Sequence, residues 1–356
     1  MGLVLTVDLA EVAFTRFTVP AGDGVWTSDE HPIGFAATQL VASWTAHTPP
    51  GSWIEVELRA TTGSGQRTKW YVMGRWSAHG RPRTSVPGQG DQDGDVAVDT
   101  FVARRPMAAF QVRVTAHGAG ARVDCLGVLA SAVPPRPVTP SASASAGPFQ
   151  LVVPAYSQHE HAGHHPEYDG GGAHWCGPAA VAMVLAYWER GPGPDELGWV
   201  GEDDPCPAVD HAARGCYDTS YQGTGNWPFN VAYAGTYGLA GFVTRLRSAA
   251  ELERLVRAGI PVITSLSFRS HELPGSGYST SGHLMVVTGF TAGGDILVND
   301  PAAPGGGARV RRVCPRAAFE NVWLRSAGSA GGNGSGGIVC VLHPPELSLP
   351  PSDGNW

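Results

Sequence analysis

Residues 173–191 have the sequence AHWCGPAAVAMVLAYWERG and predict a helix near the start of a mixed α and β region. Their apolar residues recur at helical spacing, Pro178 lies in the first turn, and Gly191 stands where a C-terminal cap belongs. A second amphipathic pattern predicts a helix that ends at Gly259. Five later segments predict strands: 260–268, 282–290, 295–300, 308–314 and 337–343. The second half of the chain is therefore expected to have an α+β fold.

The first part of the chain shows only strand-like patterns. Short alternating apolar runs between clusters of Gly, Pro, Asp and Ser predict strands at 53–60, 70–76, 96–103 and 110–117. The N-terminal residues 1–14 predict a further strand, and together these patterns favour an all-β sandwich of jelly-roll type. Residues 133–148 are rich in Pro, Ser and Ala and predict a linker. We expect a β-sandwich domain over 1–132, this linker, and an α+β domain over 149–356.

Composition limits the classes of function. The chain has 356 residues and a net charge of −7, and its length favours two domains. Its 48 Gly and 29 Pro approach a disordered composition, but 11 Trp, 11 Phe and 9 Tyr provide apolar surface for packed cores. The 24 basic residues are scattered, which argues against a nucleic-acid partner, and no apolar run approaches the length of a membrane span. We expect a monomer that uses no cofactor.

Cys176 lies where a glycine-rich loop, Gly170 to Gly172, becomes a helix. The unpaired N–H groups and the positive end of a helix stabilise a thiolate, which is the nucleophilic form of cysteine. This position therefore predicts a catalytic nucleophile. The alternatives are a buried structural cysteine or one half of a disulfide.

His283 and Asp300 are expected to lie side by side on a β-hairpin. If residues 291–294 form a four-residue loop, Asp300 lies opposite Met285, on the face that also carries His283. The two backbones would then be roughly 7–8 Å apart, within side-chain reach. Asn299 would point to the other face, and an odd-length loop or a bulge would reverse the choice between the two residues.

A thiol at a helix start, a histidine and a carboxylate are the parts of an activated-nucleophile site. Four segments also carry a family resemblance: VPAYSQ at 153–158, WCGPAAVAMVLAYW at 175–188, GHLMVVTGF at 282–290 and VNDPA at 298–302. Together they resemble the papain-like cysteine peptidases of the bacteriocin-processing (double-glycine leader peptidase) family, particularly its secreted relatives from high-GC bacteria. The resemblance covers residues 149–345 and implies a papain-like fold that acts on a peptide or protein substrate.

The resemblance also implies roles for single residues. Cys176 would be the nucleophile, His283 the general base and acid, and Asp300 the residue that orients the imidazole. Gln158 matches the family's glutamine, whose side-chain amide helps the Cys176 N–H to form the oxyanion hole. Gln158 lies 18 residues before Cys176, a longer separation than usual, because residues 159–174 form an insertion.

The chain has neither the membrane spans nor the phosphate-binding loop of the members that process leaders during export. A free-standing cysteine peptidase that forms an acyl-thioester is therefore expected. One alternative is a peptidyl or acyl transferase that uses the same thioester. Another is a catalytically silent protein that binds cell-surface polymers.

Residues 159–169 of the insertion hold seven potential metal ligands: His159, Glu160, His161, His164, His165, Glu167 and Asp169. Such density can bind zinc or copper. The spacing matches no closed zinc site, so the sequence favours a solvated loop beside the cleft and no metal.

The other cysteines bear on whether the protein resides in an oxidising or a reducing cellular compartment. Cys206 with Cys216 and Cys314 with Cys340 are expected to form disulfides, which leaves Cys176 free. Such pairing implies an oxidising compartment, and so a secreted protein whose signal peptide has been removed. Reduced cysteines in a cytoplasmic protein are the alternative.

Several aromatic residues are candidates for binding carbohydrate or substrate. Five tryptophans of the first domain are favoured as core residues for the most part, and any exposed members are candidates for a carbohydrate or cell-wall contact: Trp26, Trp44, Trp53, Trp70 and Trp76. Three aromatic residues of the second domain are candidates for substrate pockets: Trp227, Tyr278 and Trp323.

Overall fold

The computed structural model describes residues 11–356 except 23, 81, 136, 144–146, 202, 305–308 and 327–333. Within these residues an all-β region precedes an α+β region, which confirms the expected fold class. Most of the strand expected over residues 1–14 lies outside the described residues. Among the helices described here, none has both the length and the apolar character needed to span a bilayer.

Eight strands of the N-terminal region form one hydrogen-bonded sheet. They are β1 Glu11–Phe17, β2 Gly24–Thr27, β3 His31–His47, β4 Trp53–Thr62, β5 Tyr71–Trp76, β6 Gly94–Ala97, β7 Thr100–His117 and β8 Arg122–Ala132. Six of them follow the order β1-β8-β3-β7-β4-β5, while β2 and β6 pair with β7. The long β7 changes partners along its length, from β6 and β3 in its first half to β4 and β2 in its second. The side chains of Trp44, Tyr71 and Phe110 are buried in this region.

Residues 96–103 form a hairpin, not the single strand that the sequence predicted. β6 ends at Ala97 and β7 begins at Thr100, and these two residues pair with each other. Between them Val98 has a φ of 60°, and the Asp99 N–H donates to the Ala97 carbonyl at 2.7 Å. The turn is therefore a γ-turn with a left-handed central residue. The prediction was wrong because valine favours strands and gives no turn signal.

Seven strands form the second sheet: β9 Phe149–Gln150, β10 Ala240–Arg245, β11 Val262–Phe268, β12 Thr280–Phe290, β13 Ile296–Asn299, β14 Arg311–Cys314 and β15 Ile338–His343. Six follow the order β10-β15-β11-β12-β13-β14, and β9 pairs with β12. The helices are α1 Cys176–Tyr187, α2 Pro194–Leu197, α3 Pro207–Cys216, α4 Trp227–Gly235, α5 Ala249–Arg257 and α6 Arg316–Leu324. α1 and α5 pack against β12, the strand that carries His283.

α1 ends at Tyr187, so the predicted end at Gly191 was wrong. Glu189 takes the left-handed position after the helix, with a φ of 54°. The N–H of Arg190 then donates back to the Leu185 carbonyl at 2.9 Å, as in a Schellman cap. The prediction placed the end of the helix two residues too far along the chain, because the left-handed position is taken by Glu189 and not by Gly191.

The two sheet regions share a buried interface. Trp44 and Trp76 of the first sheet pack against Phe229 of α4, with ring centroids 6.2 and 5.3 Å away. Arg245 on β10 donates to the Ser131 hydroxyl of β8 at 3.0 Å. Both tryptophans are at most 1% exposed. These two candidates for a carbohydrate contact are therefore core residues of the interface.

The expected disulfides are absent, because all six cysteines are free thiols. Cys206 precedes α3 and Cys216 ends it, which separates them by about 15 Å at 1.5 Å per residue. Cys314 on β14 and Cys340 on β15 are four strand spacings apart, or about 19 Å. A disulfide needs Cα atoms within about 7 Å. Spacing along the chain failed as a guide because it does not show a helix between two cysteines or the order of strands.

Candidate active site

Cys176 is the first residue of α1, a helix that is buried over most of its length. Trp175, the fully buried residue before it, donates its indole N–H to the Tyr168 carbonyl at 2.6 Å. The Cys176 side chain is half-buried and lines a cleft. Its backbone N–H is one of the helix-start donors that have no acceptor within the helix. The thiol is thus accessible at the positive end of a rigid helix.

Two glycines let the insertion pack against the start of α1. Gly171 has a φ of 94°, and a Cβ there would lie 2.9 Å from the His164 carbonyl oxygen. A Cβ at Gly172 would lie 2.3 Å from the backbone of His161. Side chains do not fit at either position. The glycine-rich approach to the nucleophile therefore allows close packing of the insertion.

His283 and Asp300 form a buried pair. His283 Nε2 lies 2.8 Å from Asp300 Oδ1, and the two side chains are 4% and 0% exposed. His283 lines the same cleft as Cys176 and lies close enough for the thiol to raise the pKa of the imidazole. Because Asp300 engages Nε2, Nδ1 is the ring nitrogen left for the thiol. The structure thus brings together the thiol, the imidazole and the carboxylate that the sequence singled out.

Two irregularities of the β12–β13 hairpin cancel each other. Phe290 pairs with Ile296 and not with Asp295, so the loop has an odd number of residues. An odd loop alone would place Asp300 on the wrong face. A β-bulge at Thr288 adds one residue to β12 and shifts the register back.

Beyond the bulge, Asn299 pairs with Val286, as the predicted register requires. Asp300 follows on the face of His283. Asn299 instead donates its side-chain amide to the Pro154 carbonyl at 2.8 Å. The residue beside the imidazole is therefore Asp300.

Four donors hold the carboxylate of Asp300. Besides His283 they are the Tyr278 hydroxyl at 2.9 Å, the Arg312 guanidinium at 2.7 Å and the Ala302 N–H at 3.0 Å. Burial alone would raise the pKa of Asp300, but His283 and Arg312 hold it below its ordinary value. Sequence reasoning missed Arg312. Arg312 lies on β14, the strand next to β13, and no pattern within a single strand shows this pairing.

The same contacts set the charge of His283. Burial alone would lower the pKa of His283, but Asp300 and Cys176 outweigh burial and raise it from 6.5 to about 10. The imidazole is therefore charged at neutral pH. An imidazolium next to a thiol favours the thiolate. The pair can supply both a nucleophile and a proton donor.

Gln158 lies beside Cys176 in the cleft, at the start of a 3-10 turn that ends at His161. Its Nε2 donates to the Ala173 carbonyl, and its backbone N–H donates to the Pro301 carbonyl at 3.0 Å. A side-chain amide nitrogen carries two hydrogens, so one remains for a group in the cleft. Gln158 therefore lines the same cavity as the nucleophile despite the insertion.

Two cavities meet at Cys176 and His283. One, of about 370 Å³, lies against the β6–β7 hairpin, and the other, of about 490 Å³, lies against the insertion. Three further residues line both cavities: Tyr221, Gly225 and Gly282. The cleft thus crosses the thiol, with the N-terminal sheet on one side and the insertion on the other.

The β6–β7 hairpin forms a strained wall of this cleft. Its left-handed Val98 lines the cavity of about 370 Å³ together with Asp99. The Asp99 carboxylate accepts the Trp227 N–H at 3.0 Å, and burial raises its pKa to about 6. A β-branched residue in the left-handed region is held there by its surroundings, and such strain concentrates at functional sites.

The aromatic candidates separate into two groups. Trp227 and Tyr278 line the cleft, as expected for substrate pockets. Trp323 was a wrong candidate, because it is 0% exposed and donates its indole N–H to the Ile338 carbonyl. Sequence reasoning missed Tyr221, which is 49% exposed in the middle of the cleft. Its signal is weak, since an isolated tyrosine in a loop resembles any surface tyrosine.

The insertion is only partly the solvated loop that the sequence favoured. His159 and His174 line the cleft, and His174 is largely exposed. His161, in contrast, is 0% exposed and lies 2.6 Å from a buried carboxylate oxygen of Asp210 on α3. The sequence could not show this contact because Asp210 lies 49 residues further along the chain.

Comparisons with known proteins identify a family model for each of the two regions of the chain. The model of the Peptidase C39 N-terminal domain matches residues 11–131. Among solved structures, one described as a C39-like peptidase from Bacillus anthracis is 19% identical with a TM-score of 0.33, over 55% of this chain and 96% of that chain. A structure of the infectious bursal disease virus Gt strain is 10% identical with a TM-score of 0.20, over 37% of this chain and 34% of that chain. No curated protein matches the chain.

Because these TM-scores are low, the assignment depends on the family models. The second model covers residues 150–331, about half of the chain, and these residues contain Cys176, His283 and Asp300. This match confirms the resemblance found in the sequence, and the chain belongs to the Peptidase_C39 like family.

Proposed function

We propose that the protein hydrolyses peptide bonds through Cys176, His283 and Asp300, with an acyl-thioester intermediate on Cys176. The observation that supports this most directly is the buried 2.8 Å contact between His283 and Asp300, next to a thiol at a helix start. The family to which the chain belongs, Peptidase_C39 like, also favours a peptidase.

In the first step the Cys176 thiolate attacks the substrate carbonyl carbon, and the carbonyl oxygen becomes an oxyanion. The Cys176 N–H and the free hydrogen of the Gln158 amide would stabilise that charge. The His283 imidazolium then gives its proton to the amine as the C–N bond breaks. The amine leaves, and the acyl group stays on Cys176 as a thioester.

In the second step the neutral His283 takes a proton from water, whose oxygen attacks the thioester carbonyl. The thiolate leaves, a carboxylic acid is released, and the imidazolium is restored. Asp300 stabilises the imidazolium in both steps and remains ionised, because Arg312 and Tyr278 donate to it.

We infer that residues 1–132 and 149–356 act as two domains joined by 133–148, and that the first domain is part of the substrate site. Supporting this, the β6–β7 hairpin of the first domain lines the cleft at Val98 and Asp99. A peptide that crosses the thiol would contact this hairpin on one side and the insertion on the other. The first domain would then contribute to specificity.

Secretion, a monomeric state and a cell-wall contact remain predictions from the sequence. The disulfides that would have supported an oxidising compartment are absent, since all six cysteines are free thiols. Trp44 and Trp76 are buried and unavailable for a sugar contact.

A peptide-library digest tests the proposed function. Wild type should cleave a set of peptides, and Cys176→Ala should cleave none while keeping the wild-type melting temperature. Cys125→Ala is the matched control, because Cys125 is also a half-buried free thiol but lies in the first domain. The control should cleave the same peptides as wild type.

Cleavage by a folded Cys176→Ala protein would overturn the mechanism. Transfer of the acyl group to an added amine, without hydrolysis, would identify the transferase instead. An inactive wild type whose Cys176 reacts with a peptide electrophile no faster than Cys125 would identify a silent binding protein.

A further inference from the structure

We propose that the insertion holds a structural divalent transition-metal ion, zinc, bound by His161, His164, Asp204 and Asp210. One ligand atom of each residue lies within 4.8 Å of the others. Nothing in the proposed peptidase mechanism uses these side chains. The site therefore goes beyond the proposed function.

The distances within the cluster fit ligands around one ion. His161 Nδ1 lies 2.6 Å from Asp210 Oδ2 and 3.5 Å from Asp204 Oδ2. His164 Nδ1 lies 3.0 Å from Asp204 Oδ2 and 3.3 Å from Asp210 Oδ1. Zinc bonds of about 2.0–2.2 Å in a tetrahedron place neighbouring ligand atoms about 3.3–3.6 Å apart. Small side-chain shifts would bring these atoms to a common ion.

Four atoms of the cluster have no hydrogen-bond partner within the described part of the chain. They are His161 Nδ1, His161 Nε2, Asp204 Oδ2 and Asp210 Oδ2. His161 Nδ1 and Asp210 Oδ2 approach each other without the alignment of a hydrogen bond. The side chains of His161 and Asp210 are 0% exposed, and that of Asp204 is 2% exposed. Buried polar atoms without partners are destabilising, so this arrangement favours a further partner such as a cation.

The ligand types select the class of ion. Two imidazoles disfavour calcium and magnesium, which prefer oxygen ligands. Two histidines and two carboxylates suit zinc, and four protein ligands complete the closed tetrahedron of a structural site. The Cys206 N–H donates to the other oxygen of Asp204 at 2.8 Å and orients that carboxylate. His164 is 37% exposed, which provides a path for the ion from solvent.

The ion would join three separate parts of the chain. His161 and His164 belong to the insertion, Asp204 to the loop before α3, and Asp210 to α3 itself. The 3-10 turn that ends at His161 begins at Gln158, beside the nucleophile. We therefore expect the ion to fix the insertion, and with it the position of Gln158. Only this last consequence depends on the proposed function.

Metal analysis of tag-free protein tests the site without any assay of activity. Protein made in zinc-supplemented medium and dialysed against metal-free buffer should contain about one zinc ion per chain. The zinc content should fall at least tenfold in His161→Ala and in Asp210→Asn. His174→Ala is the matched control, since His174 lies in the same insertion but outside the cluster, and it should retain the zinc. Chelator-treated wild type should melt at a lower temperature and recover when zinc is added.

Three results would overturn the proposal. The first is that wild-type protein contains no metal and its melting temperature does not change when zinc is added. This result would identify the cluster as hydrogen-bonded His and Asp side chains without a metal. The second is equal zinc content in wild type and His161→Ala, which would place the metal elsewhere. If both ligand variants fail to fold, cobalt-substituted wild type decides: tetrahedral absorption bands support the site, and their absence overturns it.

Discussion

Replacing Asp300 with asparagine tests how His283 keeps its charge. The substitution retains an oxygen that accepts from His283 Nε2 but removes the negative charge at 2.8 Å. The rise of the His283 pKa from 6.5 to about 10 corresponds to a net free energy of roughly 5 kcal/mol in favour of the imidazolium, which is what remains of the stabilisation by Asp300 and Cys176 after burial has opposed it. Loss of the charge should lower this pKa by at least about one unit, or roughly 1.4 kcal/mol.

The assay is the pH dependence of kcat/KM for one cleaved peptide. In wild type, activity should be retained up to about pH 10 and fall above it, because the imidazolium that protonates the leaving amine is then lost. In Asp300→Asn the alkaline fall should begin at lower pH. Asp295→Asn, a change on the same hairpin outside the site, should keep the wild-type profile.

Stability provides the control for this experiment. The amide introduced by Asp300→Asn would place an N–H group against the Arg312 guanidinium, which now donates to the buried Asp300 carboxylate at 2.7 Å. Breaking a buried ion pair destabilises by up to about 3–5 kcal/mol. The double variant Asp300→Asn/Arg312→Gln should therefore recover part of the melting temperature while the pH profile stays shifted. A wild-type alkaline limb in folded Asp300→Asn would refute the assigned role of Asp300.

Gln158→Ala should lower kcat about 10²–10³-fold in steady-state kinetics, because one oxyanion donor is lost. The control is Gln150→Ala, a change at an exposed glutamine of β9, and an equal loss of kcat in this control would contradict the role of Gln158. Val98→Gly should raise the free energy of unfolding by about 1 kcal/mol in denaturant titrations, because glycine relieves the strain at φ 60°. The same variant should have a lower kcat/KM. An unchanged kcat/KM would show that the hairpin is not part of the substrate site. Tyr221→Ala should raise KM about tenfold, or roughly 1.4 kcal/mol, by loss of an aromatic contact, whereas an unchanged KM would show that substrate does not reach this residue.

Local patterns predicted the parts of the site that depend on one element. Cys176 could be named because a glycine-rich loop followed by an apolar helix marks a helix start. Asp300 could be preferred to Asn299 because strand parity assigns alternate residues to opposite faces. That preference held even though the assumed loop was wrong, since the bulge at Thr288 compensated for the odd loop.

The parts that could not be predicted depend on contacts between distant elements. Arg312 reaches Asp300 only because β14 lies beside β13, and strand order does not follow from the pattern of a single strand. Asp204 and Asp210 meet His161 across more than 40 residues of chain. The same limitation produced the wrong disulfides, because spacing along the chain carries no information on distance in space.

The prediction of a strand at Val98 was wrong for a different reason. Propensity favours a strand at this position, while the surrounding structure holds the residue in a left-handed conformation. Such local conflict is expected where function opposes stability. The hairpin beside the cleft is thus found from the structure alone.

The Cys176 thiolate is expected to form a covalent acyl-enzyme, and rapid-quench mass spectrometry with a slowly hydrolysed peptide ester measures this adduct directly. We expect an intact-mass increase equal to the acyl group, located by peptide mapping on Cys176, released by hydroxylamine, and absent in Cys176→Ala. Turnover of the ester without this adduct, or an adduct that persists in Cys176→Ala, would contradict the account.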